Sequence, residues 1–174
     1  MEDNGAKLEK INVGAQFVQK YKKRRYLYGA LIEYRLMTKW DARFLNLATH
    51  ISEWSKDPST QVGCVVVGPD REIRSTGSNG LPRGIEDNDE RLNNREVKYP
   101  LICHAEENAI MHAARIGMSL KGCTAYVTWP PCTRCARSLI QAGILSVVYP
   151  ENTDIPKRWI TDFNLSLSML KEAG

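Results

Sequence analysis

Two apolar runs, Cys123 to Thr128 and Ile144 to Tyr149, flank a helix-length segment that Pro130-Pro131 introduces and Gly143 closes. Runs this short, bounded by proline and glycine, read as buried strands, and a strand regained by way of a helix lies parallel to its predecessor. Parallel strands are buried on both faces, so helices are needed above and below the sheet. Upstream, Val62 to Val67 and Ile73 to Ser78 lie on either side of a Pro69-Asp70 turn and read as an antiparallel hairpin. Three further segments have helical spacing. Trp40 to Trp54 carries Trp40, Phe44, Leu47, Ala48 and Ile51 on one face, Ala105 to Ile116 carries Ala109, Ile110 and Ala113, and Lys157 to Glu172 carries Ile160, Phe163, Leu167 and Leu170. Leu81 to Pro100 is polar and reads as a functional loop or a disordered excursion. The fold class is α/β, a three-layer α/β/α domain around a mixed central sheet.

The 174 residues, 43% of them hydrophobic, suffice for one full core. No apolar run approaches the roughly 18 residues of a membrane span, and MEDNGAKLEK lacks the apolar stretch of a secretory signal, so a cytoplasmic protein away from membranes is expected. Charge divides the chain. Residues 1–39 hold nine Lys or Arg against four acids, leaving fifteen against sixteen for the rest. We therefore divide the sequence into a basic N-terminal extension, 1–38, and a catalytic domain, 39–174. The dense basic stretch, Lys20 to Arg25, reads as either a nucleic-acid contact or a solvated, partly disordered or interface-packed segment. The near-neutral domain favours the second.

Five cysteines, with only Cys132 and Cys135 close in sequence, suit a metal better than a disulfide framework. Three residues apart at a helix start, their sulfurs share a face, and the positive end of the helix dipole favours the thiolate. Alone, Cys-x-x-Cys is equally a redox pair or half a structural zinc site. The chain adds His104-Ala105-Glu106 at the start of another helix. With Pro131-Cys132-Thr133-Arg134-Cys135 this matches the signature of zinc deaminases, in which the His is a third ligand, and three protein ligands leave a catalytic zinc open to water, whose pKa falls to roughly 7. Glu106 is then the proton carrier. Residues two apart diverge on a regular helix, so His104 and Glu106 converge only at its end. Cys64, Cys103 and Cys123 read as packing residues, and His50 and His112 as ordinary helix residues.

The pair His-x-Glu and Pro-Cys-x-x-Cys is the signature of zinc nucleobase deaminases. From about Trp40 to Pro150 the chain resembles the cytidine and deoxycytidylate deaminase superfamily, and within it the deoxycytidylate (dCMP) deaminases. Four blocks carry the resemblance: Ser55 to Gly63 (SKDPSTQVG), Asn79 to Gly84 (NGLPRG), Tyr99 to Ile110 (YPLICHAEENAI) and Pro131 to Ala136 (PCTRCA). It implies a cytidine-deaminase-like fold, Zn2+ on His104, Cys132 and Cys135, Glu106 as acid-base, and Asn79 and Ala105 facing the substrate. It also implies dCMP as substrate, a homo-oligomer such as a hexamer, and feedback by dCTP and dTTP.

The chain departs from the pattern twice. Many relatives have Gly-Tyr-Asn-Gly where Gly77-Ser78-Asn79-Gly80 stands, and relatives usually add a fifth strand after the last helix. Either that strand is missing here or the N-terminal extension replaces it. Thr60 and Arg83, in loops bordering the expected pocket, are candidates for the substrate phosphate. The competing readings are deamination of another cytosine nucleoside or nucleotide, deamination of adenosine in tRNA with the basic tail as clamp, and a zinc-stabilised scaffold without catalysis.

Overall fold

The computed structural model describes residues 26–28, 31–33, 38–150 and 153–174. Strands β1 (Tyr26–Tyr28), β2 (Leu31–Glu33), β3 (Gly63–Val67), β4 (Ile73–Ser78), β5 (Thr124–Val127) and β6 (Ser146–Val148) form one mixed sheet in the order β2-β1-β6-β5-β3-β4. The expected hairpin is β3–β4, with a register shift at Val66/Val67, and the expected parallel pair is β5–β6. All five residues of β3 are buried, because both faces of the sheet are covered.

Alternation along β3 sorts the core. Val65 and Val67, with Tyr126 and Val148, meet Phe44, Leu45, Ala48 and Ile51 of helix α1 (Lys39–Ser52). Cys64 and Val66 face the other way, toward Ala105, Ala109 and Ala113 of α4 (Ala105–Arg115) and Ala136 and Leu139 of α5 (Thr133–Gln141). Leu170 of α6 (Ile160–Glu172) joins that second cluster, following a 3-10 turn at Lys157–Trp159. One helix on one face and three on the other make the three-layer α/β/α domain. Cys64 and Cys123 are core residues with no exposure.

Glycine sets the seat of α4. A Cβ at Gly77 would collide with the Ala105 carbonyl and the Ala109 amide, so only glycine lets the first turns of α4 lie directly on β4.

Two expectations are corrected. The polar segment before Pro100 holds two short helices, α2 (Asp89–Asn93) and α3 (Arg95–Leu101). Each is opened by an asparagine whose side chain accepts a backbone N–H, Asn88 from Arg91 and Asn94 from Glu96. The buried stripe of α6 is Phe163, Ser166 and Leu170, while Ile160, at the junction with the 3-10 turn, is 45% exposed.

The extension joins the sheet. Tyr26 and Leu27 pair antiparallel with Val148 and Val147, so β1 lies along the edge of β6 away from β5. Lys20 to Arg25 lie outside the described residues. Among the described residues, no helix is long and apolar enough to cross a membrane.

Candidate active site

His104 is the N-cap of α4, with extended backbone angles (φ −75°, ψ 161°), and Cys132 is the N-cap of α5 (φ −74°, ψ 172°). Caps lie outside the helical path, which frees the His104 ring and the Cys132 sulfur to turn toward the other helix. The His104 Nδ1 lies 3.4 Å from the Cys132 Sγ and 3.3 Å from the Cys135 Sγ. All three ligand atoms fall within 4.8 Å of one another. Tetrahedral bonds of about 2.3 Å to sulfur and about 2.0 Å to nitrogen put such donors about 3.5 Å apart. The donor set fits zinc in type and spacing.

Its protonation points the same way. Hydrogen bonds from Cys135 and His104 hold the Cys132 thiol down to about 4, against the pull of burial. The contact with Cys132, together with burial, pushes the Cys135 thiol up, and the bond to Cys132 raises His104. Three groups thus share protons around one thiolate, and a divalent cation in their midst lets both sulfurs ionise.

Glu106 is 3% exposed, and burial pushes its carboxyl up to about 7, although its own backbone N–H and His104 pull the other way. A carboxyl poised there accepts and returns a proton near neutrality. The next residue braces the helices. Glu107 accepts the His104 backbone N–H at 3.3 Å and two guanidinium bonds from Arg134 of α5, at 2.9 and 2.7 Å.

A cavity of about 570 Å³ opens over these groups, a volume suited to a small organic substrate. Ala105, buried at the start of α4, lies in its wall beside Glu106. The lining also holds a polar network built around the buried Lys98 and Asp57. Lys98 Nζ donates to Asp57 Oδ1 at 2.7 Å and to Ser59 Oγ at 2.8 Å. Asp57 Oδ1 also accepts the Ser59 amide at 2.8 Å and the Thr60 amide at 3.2 Å. Burial alone would raise the Asp57 carboxyl, but the bonds from Lys98, Ser59 and Thr60 outweigh it and hold it below its ordinary value.

Asn79 ties this wall to the sheet. Its Oδ1 accepts the Val62 N–H at 2.7 Å, and its Nδ2 donates to the Thr60 carbonyl at 2.8 Å. The side chain borders the cavity while its amide is engaged internally. Next to it, Gly80 and Cys103 exchange backbone hydrogen bonds of 3.1 and 2.9 Å, which registers the Asn79 loop against His104.

Of the phosphate candidates, Thr60 borders the cavity, whereas Arg83 is exposed and outside its walls. The cations that do line it are Arg95 of α3, Arg158 of the 3-10 turn and the buried Lys98. Tyr99 and Trp159 meet edge-on across the same rim, with centroids 6.1 Å apart. Of these five, Tyr99 opens the block Tyr99 to Ile110, and Arg95, Lys98, Arg158 and Trp159 stand outside the four blocks. His50 and His112 are exposed on their helices and outside the donor set, His50 beside Glu53 and His112 beside the Thr76 carbonyl.

A nitrogen and two sulfurs at two helix starts, with a sealed carboxyl beside them under one cavity, define a zinc hydrolase site of the deaminase class. The chain belongs to the cytidine and deoxycytidylate deaminase family, whose zinc-binding region model matches residues 38–151. It is 44% identical over 140 residues to an uncharacterized deaminase in the luxG 3' region of Aliivibrio fischeri, covering 80% of this chain and 92% of that one. Against the human deoxycytidylate deaminase it is 39% identical over 116 residues, spanning 64% of each chain. The apo crystal structure of the dCMP deaminase from cyanophage S-TIM5 aligns with a TM-score of 0.62 at 26% identity, covering 80% of this chain and 95% of that one.

Proposed function

We propose that the protein converts dCMP and water to dUMP and ammonia, supplying dUMP for thymidylate synthesis. The observation that carries this reading is the meeting of the buried Glu106 with His104, Cys132 and Cys135 beneath a cavity with a cationic rim. The names of the human and cyanophage relatives support the substrate.

Zinc on the three ligands supplies the Lewis acidity that makes water a nucleophile near pH 7. Glu106 takes a proton from the attacking water and gives it to N3 of the cytosine ring. Once C4 carries the hydroxyl, Glu106 takes that hydroxyl's proton and passes it to the amino group, so the C4–N bond breaks, C4 becomes a carbonyl, ammonia departs and the carboxylate is restored. Ala105 and Asn79 border the nucleoside. Arg95 and Arg158, with Thr60 nearby, face the 5′-phosphate in place of Arg83.

The same reading includes a cytoplasmic homo-oligomer under feedback by dCTP and dTTP, with no nucleic acid as partner. Ammonia release from dCMP, deoxycytidine, cytidine and tRNA, measured side by side, tests the substrate. Specificity constants for deoxycytidine equal to those for dCMP would overturn it.

A further inference from the structure

The turn that carries Cys132 is held from behind by one face of α6. Asp162 Oδ2 accepts the Thr133 N–H at 3.1 Å, and Oδ1 accepts the Thr133 hydroxyl at 2.6 Å. Ser166, one helical turn further on and fully buried, donates its hydroxyl to the Pro131 carbonyl at 2.7 Å. Residues on both sides of Cys132 are thus tied to two side chains on a single helix face.

The need for this brace follows from the chemistry of the ligand. An N-cap side chain ordinarily satisfies one of the first free N–H groups of its helix. The Cys132 sulfur faces His104, and the N–H of Thr133, the first residue of α5, is left for another acceptor. Asp162 supplies that acceptor from another element. Ser166 occupies the buried stripe of α6 between Phe163 and Leu170, where an apolar residue would pack without cost. A hydroxyl there is tolerated because it is bonded, and its bond fixes the residue before the ligand.

We infer that Asp162 and Ser166 are positioning residues that set the zinc affinity of the site by holding Pro131 and Thr133 on either side of Cys132. Neither touches substrate or the ligand atoms. Partners that orient ligands are worth about 10–100-fold in metal affinity when removed.

The test is zinc affinity of the folded protein, measured by competition with a chromophoric chelator, beside the melting temperature of the metal-free form. Asp162→Ala should weaken zinc binding about 10–100-fold. Asp162→Asn, which keeps an acceptor for the Thr133 amide, should recover most of that loss. Ser166→Ala and Thr133→Val each remove one bond, should weaken binding severalfold, and stand in if Asp162→Ala does not fold. A role confined to folding would lower the melting temperature alone. Zinc affinity within about twofold of wild type in the folded variants would overturn the inference.

Discussion

The Lys98 ammonium lies 2.7 Å from the Asp57 carboxylate with side chains only 7% and 3% exposed, so two distant segments meet as a sealed ion pair in the cavity wall. Removing one partner strands the other charge, which costs about 3–5 kcal/mol for a buried pair. Lys98→Met should therefore lower stability to chemical denaturation by about that much at pH 7. The pH dependence has a definite sign. The folded carboxyl of Asp57 sits below its unfolded value, so the pair stabilises fully above about pH 4 and its contribution is lost as pH falls through the folded pKa. The gap between wild type and Lys98→Met should shrink in acid. A constant gap from pH 7 to pH 3 would show that the pair is not its source.

Glu106 is not among the three donors, so proton transfer and metal binding separate at this residue. Glu106→Ala should keep about one zinc per chain while deamination falls by at least ~10²-fold, as for a general acid-base residue. Metal analysis and ammonia release on the same sample check it. Near-normal turnover with zinc retained would remove Glu106 from the mechanism.

Cys132 and Cys135 should behave in the opposite way. Site formation contributes folding free energy, so Cys132→Ala or Cys135→Ala should lose the metal and thermal stability together. Full zinc occupancy in either variant would contradict the ligand set.

How far the sequence carries depends on how far the chemistry is compressed in the chain. His104 with Glu106, and Cys132 with Cys135, were legible because each pair needs a fixed short spacing at a helix start. The layers were legible because short apolar runs bounded by turn residues are interleaved with helical spacing, and α1 and α4 run for more than two turns. The cavity wall was not. Helices α2 and α3 have five and seven residues, too few to show a period, and their asparagine caps resemble loop composition. Arg95, Lys98 and Arg158 come from segments with no motif, and only the fold brings them to one rim. Arg83 lies in a loop that was expected to border the pocket, yet it is exposed and outside the cavity lining. Strand β1 has three residues and is defined by its partner β6.

The phosphate reading distinguishes the observed rim from the expected one. Arg95→Ala and Arg158→Ala should each cut the dCMP specificity constant about 10–100-fold, the worth of a hydrogen bond to a charged group. Deoxycytidine, which lacks the phosphate, should be little affected. Arg83→Ala should leave both substrates within about twofold, as expected of a surface change away from the site. Equal loss for dCMP and deoxycytidine would show that the two arginines shape the cavity without pairing the phosphate.

The N-terminal hairpin separates two readings of the basic extension. Pairing of Tyr26 with Val148 and of Leu27 with Val147 covers the outer edge of β6, whose three residues are buried. An uncovered strand presents unpaired N–H and C=O groups to any passing edge, and the natural outcome is association with another chain. Deleting residues 1–37 spares Thr38, the cap of α1, and the whole of the metal site. The shortened chain should therefore keep its zinc and change its assembly, seen as a concentration-dependent rise in mass by light scattering or sedimentation. Affinity for polynucleotide should be no lower than that of the full chain at any salt concentration. If the basic residues were instead a nucleic-acid clamp, the full chain would bind RNA or DNA with an affinity that falls steeply with salt, and the deletion would abolish it. Unchanged assembly together with lost polynucleotide binding would reverse the assignment.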